Sequence, residues 1–212
     1  MILLVLLVVK LFSLNLIFEK SIAPSLPTAN ESEWVCVKRS NGFRLFERWV
    51  KVNDTLFVRE RKGEIIAGCS LSEAEHYLSD YTMISDWMKG IKSVKNISED
   101  SSQLVHIIIH LPWPFANRDL IARYHFYKLT PGKSIVRLQS DEHMENPASK
   151  CIRITHYEAS WSMEQIGDEQ TKIVFITQSN EPPMFPEWIQ EPVIKKLFTK
   201  NLLRLKERLS EI

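Results

Sequence analysis

The sequence lacks a surplus of charge of either sign. Its 212 residues carry 27 lysines and arginines against 26 aspartates and glutamates, a formal net charge of +1, which argues against a general nucleic-acid binder. Its three cysteines, Cys36, Cys69 and Cys151, are odd in number, far apart and without a CxxC pair. That suggests neither a zinc cluster nor a disulfide framework, and isolated buried thiols are the simplest reading. The nucleophile elbow GxSxG, the dinucleotide fingerprint GxGxxG, a phosphate-cradling P-loop and the Cys–His spacing of known proteases are all missing. No internal repeat or low-complexity tract follows residue 30. The pair His106 and His110 reads HIIIH, but the glutamate of a metalloprotease HExxH is absent, and β-branched isoleucines favour a strand. On a strand the two rings stand about 13 Å apart, so no metal is expected, and no cofactor is called for.

What the chain does have is 44% apolar and 25% charged residues, enough for one globular domain with a real core. Residues 1–18, MILLVLLVVKLFSLNLIF, are of another kind: almost wholly apolar, broken by Lys10, Ser13 and Asn15. A cleaved signal peptide has this length and apolar centre, and Ser21-Ile22-Ala23 offers small residues for cleavage, although the basic leading region is missing and Pro24 follows directly. An uncleaved membrane anchor is the other reading, since about 17 residues just span a bilayer and a central lysine costs ~2.5–3.5 kcal/mol. Residues 1–30 are therefore read as export signal or anchor plus linker, which places the protein outside the membrane it crosses or attached to one. Residues 31–212 form the domain.

Strand-like runs begin at 43–50, after the turn pair Asn41-Gly42, and continue at 54–62 and 64–70, split near Gly63 as for a tight hairpin. Ser72-Glu73-Ala74-Glu75 reads as a capping box opening a helix over 72–80, with a second helical piece at 81–88. Strands return at 91–97, 103–111, 119–128, 134–140, 150–163 and 171–178. Over 185–209 apolar residues recur at 194, 197, 198, 202, 205 and 209, one face of a long helix. Lys195, Lys196, Lys200, Arg204 and Arg208 lie opposite, and Pro186 and Pro192 sit near its start. The order is three strands, two short helices, six strands and one long helix. Short strand-to-strand connections imply an antiparallel sheet, and the amphipathic helix is its cover.

These residues resemble the START lipid-transfer domain, a branch of the helix-grip (Bet v 1-like) superfamily. Trp34 with Gly42-Phe43-Arg44-Leu45-Phe46-Glu47-Arg48 resembles the family's opening Trp…Gly-Ile-x-Val-Tyr-x-Arg. Asp86-Trp87-Met88 resembles its short second helix, and Pro112-Trp113-Pro114-Phe115…Arg118-Asp119 its Pro…Arg-Asp loop. Pro186-Glu187-Trp188 and Asn201-Leu202 resemble its closing helix. The match covers roughly 34–210. One departure stands out, because the family usually begins with a helix and only about 31–40 is available for it here. The resemblance implies an α+β helix-grip fold, a curved antiparallel sheet of about nine strands around the long C-terminal helix, with a tunnel between them for one apolar molecule.

The resemblance further implies non-enzymatic binding and transfer of a lipid or another hydrophobic small molecule. Loop 112–118 and the C-terminal helix would gate the tunnel, a transient membrane surface would be met on opening, and the protein would act as a monomer. Trp113 and Phe115 would touch membrane or ligand, two prolines restricting their loop. Arg118, Asp119, Trp188 and Phe198 are the other expected ligand contacts. Arg123 joins them if its strand face is the concave one, although Leu120, Ala122, Tyr124 and Phe126 make the opposite face at least as apolar. Two other functions fit the same fold: a cyclase- or aromatase-like or hydrolase-like enzyme using buried polar residues, and an interaction domain with its cavity filled by side chains.

Overall fold

The computed structural model describes residues 32–212 apart from 41, 53, 55–56, 99–102, 114, 142–149 and 180–185. The readings made for residues 1–30 lie outside the described residues. Ten strands form one sheet: β1 (Val35–Ser40), β2 (Phe43–Lys51), β3 (Phe57–Ala67), β4 (Ile91–Asn96), β5 (Leu104–Ile109), β6 (Asn117–Thr130), β7 (Lys133–Ser140), β8 (Cys151–Ile154), β9 (Tyr157–Gly167) and β10 (Gln170–Ser179). Helices α1 (Leu71–Ser79) and α2 (Ile84–Trp87), with a 3₁₀ turn at Tyr81–Met83 between them, follow β3, and α3 (Glu187–Leu209) closes the chain. The sheet order is β1-β2-β3-β10-β9-β7-β6-β5-β4, with β8 beside β6. This is the expected helix-grip arrangement.

The differences from expectation have local causes. Residues 35–40, within the stretch of about 31–40 considered for a leading helix, form a strand instead. Gly42, at φ +69°, helps turn β1 into β2 so that Ser40 pairs with Phe43, a conformation glycine adopts without strain. Gly63 does not turn the chain. It sits mid-strand in β3 between Leu45 of β2 and Phe175 of β10, because the C-terminal helix crosses there and leaves no room for a side chain. The run 150–163 is two strands, and the first of them, β8, pairs with β6 in parallel, Asp119 opposite Arg153. Every other pairing among the described residues is antiparallel.

Helix α1 is capped one box earlier than the sequence suggested. Ser70 Oγ accepts the Glu73 N–H at 3.3 Å, and Glu73 Oε2 accepts the Ser70 N–H at 2.8 Å. Both Ser-x-x-Glu sets are present, but starting at Ser70 adds Leu71 to the buried stripe with Ala74 and Leu78, and that burial decides the choice. Glu75, released from capping, instead accepts from Ser134 Oγ at 2.6 Å and from Lys128, holding α1 on β6 and β7. Pro186 precedes α3 and supplies the carbonyl that the Ile189 and Gln190 N–H groups reach at 2.9 and 3.2 Å.

The core lies between the concave sheet face and the helices. Trp87, Trp161, Phe43, Leu45 and Ile65 are at most 1% exposed, and Leu202, Leu205 and Leu209 of α3 are fully buried against them. The basic side of α3 is not simply solvated. Arg208 Nε lies 3.3 Å from Asp86, the carboxylate that also accepts the Tyr77 hydroxyl at 2.8 Å. Burial and this bond push the Tyr77 hydroxyl well above its ordinary pKa. Asn201 Oδ1 accepts the Lys89 N–H at 3.1 Å. The C-terminal half of α3 is thus clamped to α2 and the turn after it, and α2 in turn to α1. No helix among the described residues is long and apolar enough to cross a membrane.

Candidate ligand cavity

A cavity of about 410 Å³ lies under the N-terminal half of α3, within the range that takes one small apolar ligand. Alternation along the strands builds it. In β2 the inward residues run Phe43, Leu45, Glu47, Trp49, and in β3 they run Phe57, Arg59, Arg61, Gly63, Ile65. The same faces that form the core near the middle of the sheet therefore line the cavity farther along. Its apolar wall is Phe175, Phe198, Ile109, Ile154, Met88 and Leu197. Phe198 stacks on Phe175 at 5.4 Å and Phe175 on Trp161 at 4.8 Å, with Trp87 set edge-on to Trp161 at 6.1 Å. Such a column fixes ring positions beyond what burial alone would do.

The opposite wall is charged. Glu47, 6% exposed, accepts from Arg59 Nη1 at 3.2 Å and Arg61 Nε at 3.2 Å, and Lys195 Nζ lies 3.0 Å away. Arg61 Nη2 donates to both oxygens of Glu191 at 2.8 and 2.6 Å. Arg59 also faces Glu191 at 3.6 Å and Glu187 at 3.5 Å, with its guanidinium 4.5 Å over the Trp49 ring. Arg59, Arg61 and Lys195 thus meet Glu47, Glu187 and Glu191 in one network, with Arg59, Arg61, Glu187 and Glu191 lining the cavity. Desolvation makes such a network costly unless every partner is in place. It crosses from β2 and β3 to the first turns of α3. Tyr157 also lines the cavity. Burial raises its hydroxyl pKa, opposed by a hydrogen bond with Thr177.

The structure brings Phe115, Arg118 and Phe198 together at the cavity and places the other candidates elsewhere. Trp113 and Phe115 part company within one turn, closed by the Phe115 N–H on the Pro112 carbonyl at 3.0 Å. Phe115 goes to the cavity, while Trp113 is 92% exposed. Trp188, in the first turn of α3, is 74% exposed. Asp119 and Arg123 belong to the outer face of β6. Asp119 is fully buried there, accepting from Arg153 Nε at 3.0 Å and Nη2 at 2.7 Å, with His106 Nε2 at 3.2 Å. It ties β5, β6 and β8 together. Arg123 is exposed and pairs with Asp141 at 2.7 Å. Both corrections follow from parity: Leu120, Ala122 and Tyr124 take the inward positions, so 119 and 123 face out and 118 faces in.

Arg59, Arg61, Glu47, Glu191 and Tyr157 escaped the sequence reading. The available signal was phase, since 47 shares the phase of Phe43 and Leu45, and 59 and 61 share that of Ile65. Both faces of β2 and β3 carry charges, so phase alone did not separate them. Arg48 and Lys62 on the outer face lie 4.5 and 4.7 Å over Trp34. Of the cysteines, only Cys69 is buried, while Cys36 is exposed and Cys151 half-buried.

No protein-family model and no curated protein matches the sequence. Among solved structures the chain is similar to a STAR-related lipid transfer protein from Xanthomonas axonopodis, with a TM-score of 0.71 and 18% identity over 84% of this chain and 99% of that one. It is similar to the human StAR-related lipid transfer protein 5, with a TM-score of 0.70 and 13% identity over 95% and 94% of the two chains. It also resembles, more distantly, the Zhui aromatase/cyclase of a Streptomyces species, with a TM-score of 0.51 and 12% identity over 72% and 93%. The chain has the fold of the STAR-related lipid transfer domains.

Proposed function

We propose that this protein takes up one lipid or other hydrophobic small molecule in the cavity under α3 and carries it between membranes. The observation that carries the reading is the cavity itself: about 410 Å³, walled on one side by apolar and aromatic side chains and roofed by a helix. The two segments flanking it each carry an exposed tryptophan, Trp113 and Trp188. Indole rings favour the membrane–water boundary. With both rings in a bilayer, the loop before β6 and the first turns of α3 would be the parts nearest a ligand leaving or entering. Apolar surface leaving water drives uptake at about 25 cal/mol per Å². The apolar residues 1–18 would deliver the domain to, or across, a membrane.

The test is native mass spectrometry of the full chain purified gently from cells, with organic extraction of what is bound. A stoichiometric lipid-sized adduct is expected. A clean apo mass, with no uptake from mixed liposomes, would remove the carrier reading. An enzymatic use of the same cavity, in the manner of a cyclase, is favoured by one observation, the Tyr157 hydroxyl beside Thr177 in the cavity wall. It requires turnover that Tyr157→Phe abolishes.

A further inference from the structure

The Glu191 carboxylate is held by arginines on another element. Arg61 Nη2 donates to both of its oxygens at 2.8 and 2.6 Å, and Arg59 Nη1 stands at 3.6 Å. Both arginines and Glu191 line the cavity. A guanidinium meeting a carboxylate in an apolar pocket is the arrangement that binds an anionic ligand group. Here the anion is part of the protein.

The charges divide unevenly between the elements. Arg59, Arg61 and Glu47 stand on β2 and β3, fixed by the ladder pairs Glu47–Arg61 and Trp49–Arg59. Glu187, Glu191 and Lys195 stand on α3. While the helix is seated, the six groups balance. If its first turns lift, Glu187 and Glu191 leave while Arg59, Arg61 and Lys195 stay against Glu47 alone, a local surplus of two positive charges beside the cavity. An anionic group in the place of Glu191 offsets that surplus.

The helix is built to part at this place. Pro192 follows Glu191 inside α3, so no backbone N–H answers the Trp188 carbonyl one turn earlier. Beyond it, Leu202, Leu205 and Leu209 are fully buried. Residues 187–191 are therefore joined weakly to a firmly anchored remainder, and the contacts of Arg59 and Arg61 with Glu191 help hold them down.

We propose that Glu191 occupies the site of an anionic headgroup, and that the carboxylate or phosphate of an entering single-chain amphiphile displaces it from Arg59 and Arg61, releasing the first turns of α3. The inference rests on the carrier reading and adds the ligand's charge class. Selectivity and opening then share one contact, because only an anionic ligand replaces the bond that opening breaks.

The experiment measures binding of oleate, 1-oleoyl-lysophosphatidate and the neutral monoolein to the full chain and to its Glu191→Gln and Arg61→Lys variants. Inorganic phosphate is the chain-free control. In Glu191→Gln the ratio of anionic to neutral affinity should rise roughly tenfold, the worth of one charge-assisted hydrogen bond. In Arg61→Lys, which keeps the charge but loses the planar fork, the ratio should fall. Inorganic phosphate should bind far more weakly than lysophosphatidate, and equal binding would make the site one for a free anion and overturn the amphiphile. A Glu191→Gln ratio that is unchanged or lowered would make Glu191 a structural brace and sink the proposal while leaving the carrier reading intact. If none of the three amphiphiles binds the unaltered protein, both readings fall together. Denaturation midpoints of the variants separate lost binding from lost folding.

Discussion

Leu202 of α3 lies so close against Gly63 of β3 that a methyl group on the glycine would stand 2.0 Å from Leu202 Cδ1, with Phe198 Cε1 at 3.0 Å. Leu202 is fully buried and has nowhere to go. The contact is where the helix crosses the sheet, and it sets the depth at which α3 rides over the cavity. Gly63→Ala should therefore destabilise the protein by about 1–3 kcal/mol through overpacking, read from urea or thermal unfolding. Unchanged stability would mean that the helix seats elsewhere.

Trp113 and Trp188 contribute little to the fold because they contact so little of it. Replacing either with alanine should leave unfolding stability within about 0.5 kcal/mol. Each replacement should weaken binding to lipid vesicles by roughly tenfold, in keeping with the ~1.5–3 kcal/mol gained on burying a large apolar side chain. Vesicle co-sedimentation of the single and double variants measures this. Full retention of binding by the double variant would exclude these rings as the docking surface.

Asp119 is a structural residue rather than a ligand contact. Arg153 and His106 converge on it at a position with no solvent access. Asp119→Asn removes the charge that keeps the Arg153 guanidinium paired, and breaking a buried pair in this way costs about 3–5 kcal/mol. Chemical denaturation should show the loss. Arg123→Ala, on the same face but exposed and surface-paired, should cost no more than about 1 kcal/mol. Equal effects of the two substitutions would refute this division.

Burial, reinforced by Glu73 and Glu169, pushes the Cys69 thiol up to about 11 from 9.0. Below pH 9 the folded and unfolded chains both hold the proton, so the group adds no pH dependence. Between pH 9 and 11 the unfolded chain releases the proton while the folded one keeps it. Stability should therefore fall over that window by up to about 2–3 kcal/mol. Cys69→Ala should flatten this part of the profile, measured by urea unfolding at pH 8 and pH 11. At pH 7 a thiol reagent should label Cys36 in the native protein and Cys69 only after unfolding.

Most of the architecture was legible in the linear sequence. Strand alternation, the Asn41-Gly42 turn and the long apolar face ending at Leu209 are local patterns, governed by side-chain periods of two and 3.6 that need no distant partner. They determined an antiparallel sheet, a covering C-terminal helix and a loop with aromatic rings before β6. The sequence determined these because each depends only on neighbours a few residues away.

Tertiary structure decided the rest. Gly63 read as a turn became a helix crossing, because its meaning lies in Leu202, distant in sequence. Ser70 rather than Ser72 capped α1, because burial of Leu71 outweighed an otherwise equal motif. Trp113 and Phe115 took opposite fates only once the loop had a cavity to face. The wall of Glu47, Arg59, Arg61 and Glu191 draws on three elements, and isolated charges on a strand carry no mark of the partners that will meet them. Charge pairing and close packing depend on distances in space, and those distances exist only after the sheet has curved around its helix.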